Sequence, residues 1–174
     1  MTKTISLLSI LSYCAIAAAA PKAKPVTVKL SDAKGKAVGT ATLSAPKDGS
    51  TGTMIALDLH DMPPGMHAIH VHETAKCVAP DFKSAGGHFN PDHKHHGIGN
   101  PEGPHAGDMP NFEVDKKGKV KTNVIAPNVT LDDGPHSVFT GGGTALVIHA
   151  SSDDMKTDPS GNSGDRIACG VITK

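Results

Sequence analysis

The sequence contains no tryptophan and only four phenylalanines and one tyrosine among its 174 residues. Its formal net charge is zero, with 17 basic and 17 acidic side chains, so no field of one sign draws nucleic acid or an anionic membrane to the whole molecule. Any attraction of a charged substrate must therefore be local. The sequence is instead rich in histidine and glycine, with 11 and 19 residues. This composition and length predict one loop-rich domain that is able to bind metal ions.

Long hydrophobic runs are also scarce, and the one that is present lies at the N-terminus. Lys3 is followed by an apolar stretch over residues 5–16 and by alanines at 17–20. This pattern is typical of a signal peptide, so we expect residues 1–20 to be removed and 21–174 to form the mature domain. The stretch is shorter than the roughly 18 residues of a membrane-spanning helix, and no second apolar span follows. Lipid attachment at Cys14 is the less favoured alternative.

Export bears on the other two cysteines, Cys77 and Cys169. In an oxidising compartment we expect them to form a disulfide, with two buried free thiols as the alternative. The chain-entropy model assigns about 4 to 5 kcal/mol of stabilisation to a bridge that closes a loop of this length.

Short runs in which apolar and polar residues alternate recur along the chain, separated by turn signals such as residues 32–35 and 63–65. This alternation predicts β-strands, and no window of a dozen residues carries a helical apolar stripe. The sequence therefore predicts an all-β sandwich or barrel. The eight predicted strands span residues 26–30, 38–43, 53–59, 67–72, 112–115, 120–125, 145–149 and 166–172.

Two stretches interrupt this rhythm. Residues 74–110 carry no strand pattern and are rich in glycine, proline and histidine. A structureless stretch of that length inside a compact domain is usually either functional or disordered, and its histidines favour a function. Residues 150–164, which precede Arg166, are rich in glycine and aspartate and also lack periodicity.

The histidines fall in a pattern that indicates metal binding. Alternation along the strand at 67–72 places His70 and His72 on the same face, so that two imidazoles converge. Further candidates lie in the long stretch and at the end of a later apolar strand; a set of solvated surface histidines is the alternative. These candidates are His88, His96, His105, Asp108 and His149.

This set of residues suits two metal ions. Three imidazoles and a carboxylate suit tetrahedral zinc, and a site without an open position is typical of a structural ion. A set that consists of imidazoles alone suits copper. If His88 serves both sets, six histidines and one aspartate complete two sites.

Four motifs resemble the copper/zinc superoxide dismutase family: GxHxxHxHE at 65–73, GHFNP at 87–91, HxGD at 105–108 and GNSGxRIACG at 161–170. They occur in the family's order and at compatible spacings. The resemblance implies an eight-stranded Greek-key barrel of the immunoglobulin-like sandwich kind, with two long functional loops. It also implies one copper and one zinc ion per subunit, and dismutation of superoxide to oxygen and hydrogen peroxide. The alternative is a non-catalytic copper/zinc-binding or copper-delivery domain on the same fold.

The resemblance also assigns roles to individual residues. His88 would be the bridging imidazolate, and Arg166 would hold superoxide beside the copper. Asp153 resembles the carboxylate that links a copper ligand to a zinc ligand, with the adjacent Asp154 as the alternative. The implied copper ligands are His70, His72, His88 and His149, and the implied zinc ligands are His88, His96, His105 and Asp108.

The neighbouring histidines leave an alternative open for zinc. His93 and His95 lie close to His96, which we prefer because its spacing from His88 fits the family. His67 resembles the structural histidine that braces the loop. The resemblance also implies a disulfide between Cys77 and Cys169, the same pair that we expect from export to an oxidising compartment.

The stretch 150–164 is closer to bacterial exported members of the family than to eukaryotic ones. This likeness predicts a periplasmic enzyme whose substrate is superoxide, with no nucleic-acid partner and no membrane span. The sequence leaves a homodimer open as one possible assembly.

Overall fold

The structure is a computed structural model, and it describes residues 23–174. The predicted signal peptide over 1–20 and the alternative lipid attachment at Cys14 lie outside the described residues. Within the part that is described, no helix is long and apolar enough to cross a membrane.

The described residues form β-strands joined by loops and two short 3-10 helices, which confirms the all-β prediction. The alternating residues formed strands because most of the strands bury one side-chain row and leave the other more exposed. The 3-10 helices span Lys83–Ala85 and Thr140–Gly142. The strands are β1 (Val26–Asp32), β2 (Ala37–Ser44), β3 (Thr53–Leu59), β4 (Gly65–His67), β5 (Ile69–His72), β6 (Phe112–Val114), β7 (Val120–Ala126), β8 (Thr144–His149) and β9 (Arg166–Ile172).

The strand predicted over 67–72 is in fact two strands that meet at Ala68. The Ala68 N–H donates to the Ser151 carbonyl at 2.9 Å, and the Ala68 carbonyl accepts from the His149 N–H at 3.0 Å. These bonds to distant residues turn the chain from one sheet into another. β4 pairs with β6 in a two-stranded sheet, whereas β5 pairs with β8.

The larger sheet has the strand order β5-β8-β9-β1-β2-β3-β7, and its paired strands are antiparallel. Strands that are distant in sequence are neighbours, as in the pairs β5 with β8 and β9 with β1. Such crossovers between antiparallel strands characterise Greek-key folds. The curled sheet therefore fits the predicted Greek-key barrel, with the fourth predicted strand divided in two.

β8 is buried on both faces because two hydrophobic clusters enclose it. Leu146 and Ile148 belong to the main core inside the barrel. Ala145 and Val147 belong to a second cluster, in which Phe82 and the 3-10 helix at 83–85 cover the outer face of the strand. This double burial fixes the end of β8, where His149 lies.

The disulfide between Cys77 and Cys169 is present, which confirms the predicted pair. Its Cα atoms are 5.7 Å apart, and it joins residues 92 positions apart in the sequence. The bridge anchors the start of the long loop to β9, and both cysteines pack with the second hydrophobic cluster.

Candidate metal centre

Two adjacent strands present three histidines to one point. On β5, Ile69 and Val71 enter the main core, so His70 and His72 occupy the opposite face, as alternation predicts. β5 pairs with β8, which ends at His149.

The long loop supplies a fourth histidine, because His88 forms a bridge with His72 at the edge of the sheet. All four side chains are buried. We call His70, His72, His88 and His149 the four-imidazole set.

Each residue of the four-imidazole set has one buried ring nitrogen without a hydrogen-bond partner among the described residues. The ligand atoms of the four side chains lie within 4.8 Å of one another. A buried polar group without a partner costs about 1 to 3 kcal/mol, so four at one point indicate that they bind something else. Neutral imidazoles alone are a donor set that suits copper, so the set fits that ion. The unpaired atoms are His70 Nδ1, His72 Nε2, His88 Nε2 and His149 Nε2.

The other ring nitrogen of three of these histidines donates to an oxygen of the protein. Such a bond fixes the tautomer and leaves a lone pair on the nitrogen that faces the centre of the set. The bonds are His70 Nε2 to Asp153 Oδ2 at 2.9 Å, His72 Nδ1 to the Gly86 carbonyl at 3.0 Å and His149 Nδ1 to the Gly164 carbonyl at 3.2 Å.

A second buried group lies on the other side of His88, and we call it the mixed set: His88, His96, His105 and Asp108. The Nδ1 atoms of its three histidines lie 2.9, 3.1 and 3.4 Å from Asp108 Oδ1. Asp108 Oδ2 accepts the backbone N–H groups of Gly97 and His105, both at 2.9 Å, which fixes the carboxylate. Three imidazoles with one carboxylate suit tetrahedral zinc.

His88 belongs to both sets through different atoms. Its Nε2 is the unpaired atom of the four-imidazole set, and its Nδ1 faces Asp108 in the mixed set. One imidazole therefore lies between the two candidate positions, as the resemblance implies for this residue.

Asp153 links the two sets from the opposite side. Its Oδ2 accepts from His70 Nε2 at 2.9 Å and its Oδ1 accepts from His96 Nε2 at 3.0 Å. Asp154 is exposed, and its carboxylate accepts backbone N–H groups of its own loop. The carboxylate between the two histidines is thus that of Asp153.

Burial lowers the pKa of two of these histidines, whereas nearby carboxylates raise the pKa of a third. Burial lowers the pKa of His88 to about 4 despite the opposing Asp108 carboxylate, and it lowers the pKa of His149 to about 4 as well. Both rings are therefore neutral at pH 7, as metal ligation requires. Burial also opposes the charge on His96, but the carboxylates of Asp108 and Asp153 outweigh it and raise the pKa to about 9. His96 is therefore protonated at pH 7, and a metal ion held by the mixed set would have to displace the proton on its Nδ1.

Arg166 lies at the start of β9, opposite His149 in the register. Its Nη1 donates to the Phe82 carbonyl at 2.9 Å and its Nη2 donates to the Gly86 carbonyl at 2.8 Å. The same Gly86 carbonyl accepts from His72 Nδ1 at 3.0 Å, so a single oxygen joins the guanidinium to the four-imidazole set. Arg166 also lines an open cleft of about 700 Å³.

The neighbouring histidines stay outside both sets. His93 and His95 are exposed, whereas His96 is buried. His95 Nδ1 pairs instead with the carboxylate of Asp158, which lies on the second loop (residues 150–164). The other oxygen of that carboxylate accepts the His96 backbone N–H at 2.5 Å. The ring nitrogens of His67 lie 2.8 Å from the carbonyl oxygens of Pro63 and His149.

Sequence reasoning missed two contacts on the second loop. Besides the Asp158 carboxylate, the Ser163 hydroxyl lies 3.1 Å from His149 Nδ1. A single sequence does not indicate that this serine is buried or that it contacts a histidine, because only the path of the loop decides which side chain reaches the site.

The chain is similar in sequence to known proteins over most of its length. The sequence model of the family described as copper/zinc superoxide dismutase (SODC) matches residues 37–172. The protein named superoxide dismutase [Cu-Zn] 1 of Aquifex aeolicus is 54% identical over 141 residues, which cover 80% of this chain and 82% of that protein. The superoxide dismutase-like protein YojM of Bacillus subtilis is 44% identical over 147 residues, which cover 83% of this chain and 74% of that protein.

Two solved structures are similar over most of the chain. The crystal structure of a SOD-like protein from Bacillus subtilis has a TM-score of 0.79 and 42% identity, and the match covers 84% of this chain and 97% of that chain. The Cu/Zn superoxide dismutase from Brucella abortus has a TM-score of 0.70 and 30% identity, and the match covers 86% and 99%.

Proposed function

The chain belongs to the copper/zinc superoxide dismutase family, and we propose that it dismutates superoxide to oxygen and hydrogen peroxide with one copper and one zinc ion. The observation that carries the proposal is the convergence, beside an arginine, of four buried imidazole nitrogens that have no hydrogen-bond partner among residues 23–174. Copper would occupy the four-imidazole set and zinc the mixed set. When bound, copper supplies the one-electron oxidation and reduction of superoxide, whereas zinc has no redox chemistry.

The residues of the site have separate tasks in this proposal. The half-reaction that reduces superoxide consumes one electron and two protons to form hydrogen peroxide. His88 Nε2 would take up one proton from water while superoxide is oxidised and would donate it in this half-reaction, because that atom belongs to the four-imidazole set while Nδ1 stays with the mixed set. Water would supply the second proton, and the electron would come from the reduced copper held by the four-imidazole set. Asp108 and Asp153 hold the histidines in the orientation that both sets need.

Arg166 is the proposed binding group for the superoxide anion. Two of its N–H groups are held by the Phe82 and Gly86 carbonyls, which fixes the plane of the guanidinium. The remaining N–H groups of its planar fork suit a small dioxygen anion. Since the chain as a whole has zero formal charge, the attraction of superoxide has to come from such a local cation.

Replacing Arg166 with glutamine is expected to lower kcat/KM for superoxide by about 10- to 100-fold, because local positive charge raises the rate of encounter. The salt dependence of kcat/KM should weaken with it, since salt screens only the attraction that the charge supplies. Stopped-flow superoxide decay at low and high ionic strength measures both. Arg166→Lys is the matched control, which keeps the charge and should keep the salt dependence. An unchanged rate in Arg166→Gln would exclude this role.

We also propose that the chain is exported to the periplasm after removal of residues 1–20. The disulfide between Cys77 and Cys169 supports an oxidising compartment, because such bonds are rare where thiols are kept reduced. Fractionation of the native host and N-terminal sequencing of the recovered protein would test this location and the cleavage site.

The function itself is tested by superoxide decay with the mature chain in three forms: loaded with copper and zinc, loaded with zinc alone, and free of metal. Only the form that holds copper should accelerate the decay, because zinc cannot exchange an electron with superoxide. If the loaded chain binds one copper and one zinc but is no faster than the zinc form, the enzyme proposal fails. A role in copper buffering or delivery would then replace it.

A further inference from the structure

Ser163 is a buried hydroxyl beside one proposed copper ligand. It is 0% exposed, and its Oγ lies 3.1 Å from His149 Nδ1. The carbonyl of the next residue, Gly164, lies 3.2 Å from the same nitrogen. Two oxygens from adjacent residues therefore face one imidazole nitrogen.

The direction of these hydrogen bonds follows from the tautomer of His149. Its Nε2 is the unpaired atom that faces the other imidazoles, so the ring proton resides on Nδ1. The Gly164 carbonyl can only accept that proton. The Ser163 Oγ therefore accepts a share of the same N–H in a three-centre hydrogen bond.

Backbone hydrogen bonds hold Ser163 in this position from both sides. Its carbonyl accepts the Ser151 N–H at 2.9 Å, and its own N–H donates to the Ser160 carbonyl at 3.2 Å. His149 is equally fixed, because its N–H donates to the Ala68 carbonyl at 3.0 Å. The contact between the hydroxyl and the imidazole is therefore built into the fold.

The acceptors behind the other copper-facing histidines are of different kinds. His70 donates to the Asp153 carboxylate, whereas His72 donates to the Gly86 carbonyl. A partner on the outer nitrogen makes an imidazole a more basic ligand, and such partners tune the redox potential of the metal. A second acceptor at His149 strengthens that effect at this ligand.

We propose that Ser163 is a positioning residue that acts through His149 to favour oxidised over reduced copper in the four-imidazole set. The inference rests on the proposed function, since it requires copper at that set. Removal of the hydroxyl leaves the Gly164 carbonyl as an acceptor, so the N–H of His149 keeps a partner in the variant.

Ser163→Ala in the copper- and zinc-loaded protein is expected to lower the affinity for Cu(II) by about tenfold, the lower end of the range for such partners. The affinity for Cu(I) should change less, because the reduced ion gains less from a basic ligand. If Cu(I) affinity is unchanged, the tenfold loss corresponds to a rise of about 59 mV in the one-electron reduction potential. Redox titration followed by the Cu(II) absorption band measures the potential.

A second readout is the NMR signal of the His149 Nδ1 proton in the diamagnetic Cu(I)/zinc protein. The signal should move upfield in Ser163→Ala because one acceptor is lost. Thr53→Val is the matched control: it removes a buried hydroxyl that donates to the Val129 carbonyl at 2.9 Å, away from both sets. Its potential and NMR signal should equal those of the wild type.

Ser163→Gly removes the same hydroxyl and should raise the potential to the same extent, which covers the case that the alanine variant does not fold. If variants that lack the hydroxyl bind copper with the potential and Nδ1 signal of the wild type, the inference is wrong and Ser163 only fills space. If the wild type binds no copper at the four-imidazole set, the proposed function itself has failed. The two failures are therefore distinguishable.

Discussion

Replacing His149 with alanine is expected to reduce superoxide consumption by the loaded protein by at least about 100-fold, because residues that merely orient a metal ligand already contribute 10- to 100-fold. The substitution removes one of the four converging nitrogens of the four-imidazole set. His149 has no place in the mixed set, so zinc binding should persist. Metal content by mass spectrometry and superoxide decay, measured on the same sample, report both results.

His60→Ala is the matched control for this variant. His60 is exposed, and its ring contacts only the neighbouring Asp61, at 3.2 Å, among the hydrogen bonds of the described residues. It should keep the full copper content and rate, since it lies outside both sets. A His149→Ala protein that still consumes superoxide at the wild-type rate would place the reaction elsewhere.

The strands were predictable from the sequence because their burial has a period of two. In β3, Ile55, Leu57 and Leu59 are buried and alternate with more exposed residues, which is the pattern that the sequence carries. The break at Ala68 was not predictable, because it depends on hydrogen bonds to Ser151 and His149. Those residues are more than 80 positions away, and a local pattern holds no information about them.

The candidate site was likewise predictable from the sequence only in part. His70 and His72 follow from strand alternation, and the motifs supply three further members, His88, His105 and Asp108. His96 and His149 lie outside the four motifs and were assigned by the resemblance. The preference for His96 over His93 and His95 came from its spacing from His88, and the structure adds the physical reason: of the three, only His96 is buried. His95 turns outward to Asp158, a partner that belongs to the other loop.

Carboxylates of the second loop (residues 150–164) contact the long loop (residues 74–110). These contacts explain how ligands that lie on a loop, and not on a strand, can be held in place. Asp158 holds the backbone of His96, and Asp153 holds its side chain. His96, a proposed zinc ligand on the long loop (residues 74–110), is therefore oriented by the second loop (residues 150–164). We expect the geometry of both ions to depend on residues that bind neither.

Replacing Asp153 with asparagine is expected to weaken zinc binding by about 10- to 100-fold and to weaken copper binding as well, because the carboxylate orients one histidine of each set. The hydrogen bonds from His70 and His96 outweigh burial and hold the pKa of Asp153 below its usual range, so it is charged at pH 7. Neutral asparagine removes that charge and turns one acceptor into a donor that faces an imidazole N–H. Competition with a chelator of known affinity measures both losses.

Asp154→Asn makes the same chemical change one residue along the chain. Asp154 is exposed and accepts from the Lys156 and Thr157 backbone N–H groups, and an asparagine side-chain oxygen can accept those bonds too. The affinity for both metals should therefore match that of the wild type. Equal losses in the two variants would mean that charge near the site, rather than the contacts to His70 and His96, governs metal binding. A loss in Asp154→Asn alone would transfer the linking role to Asp154.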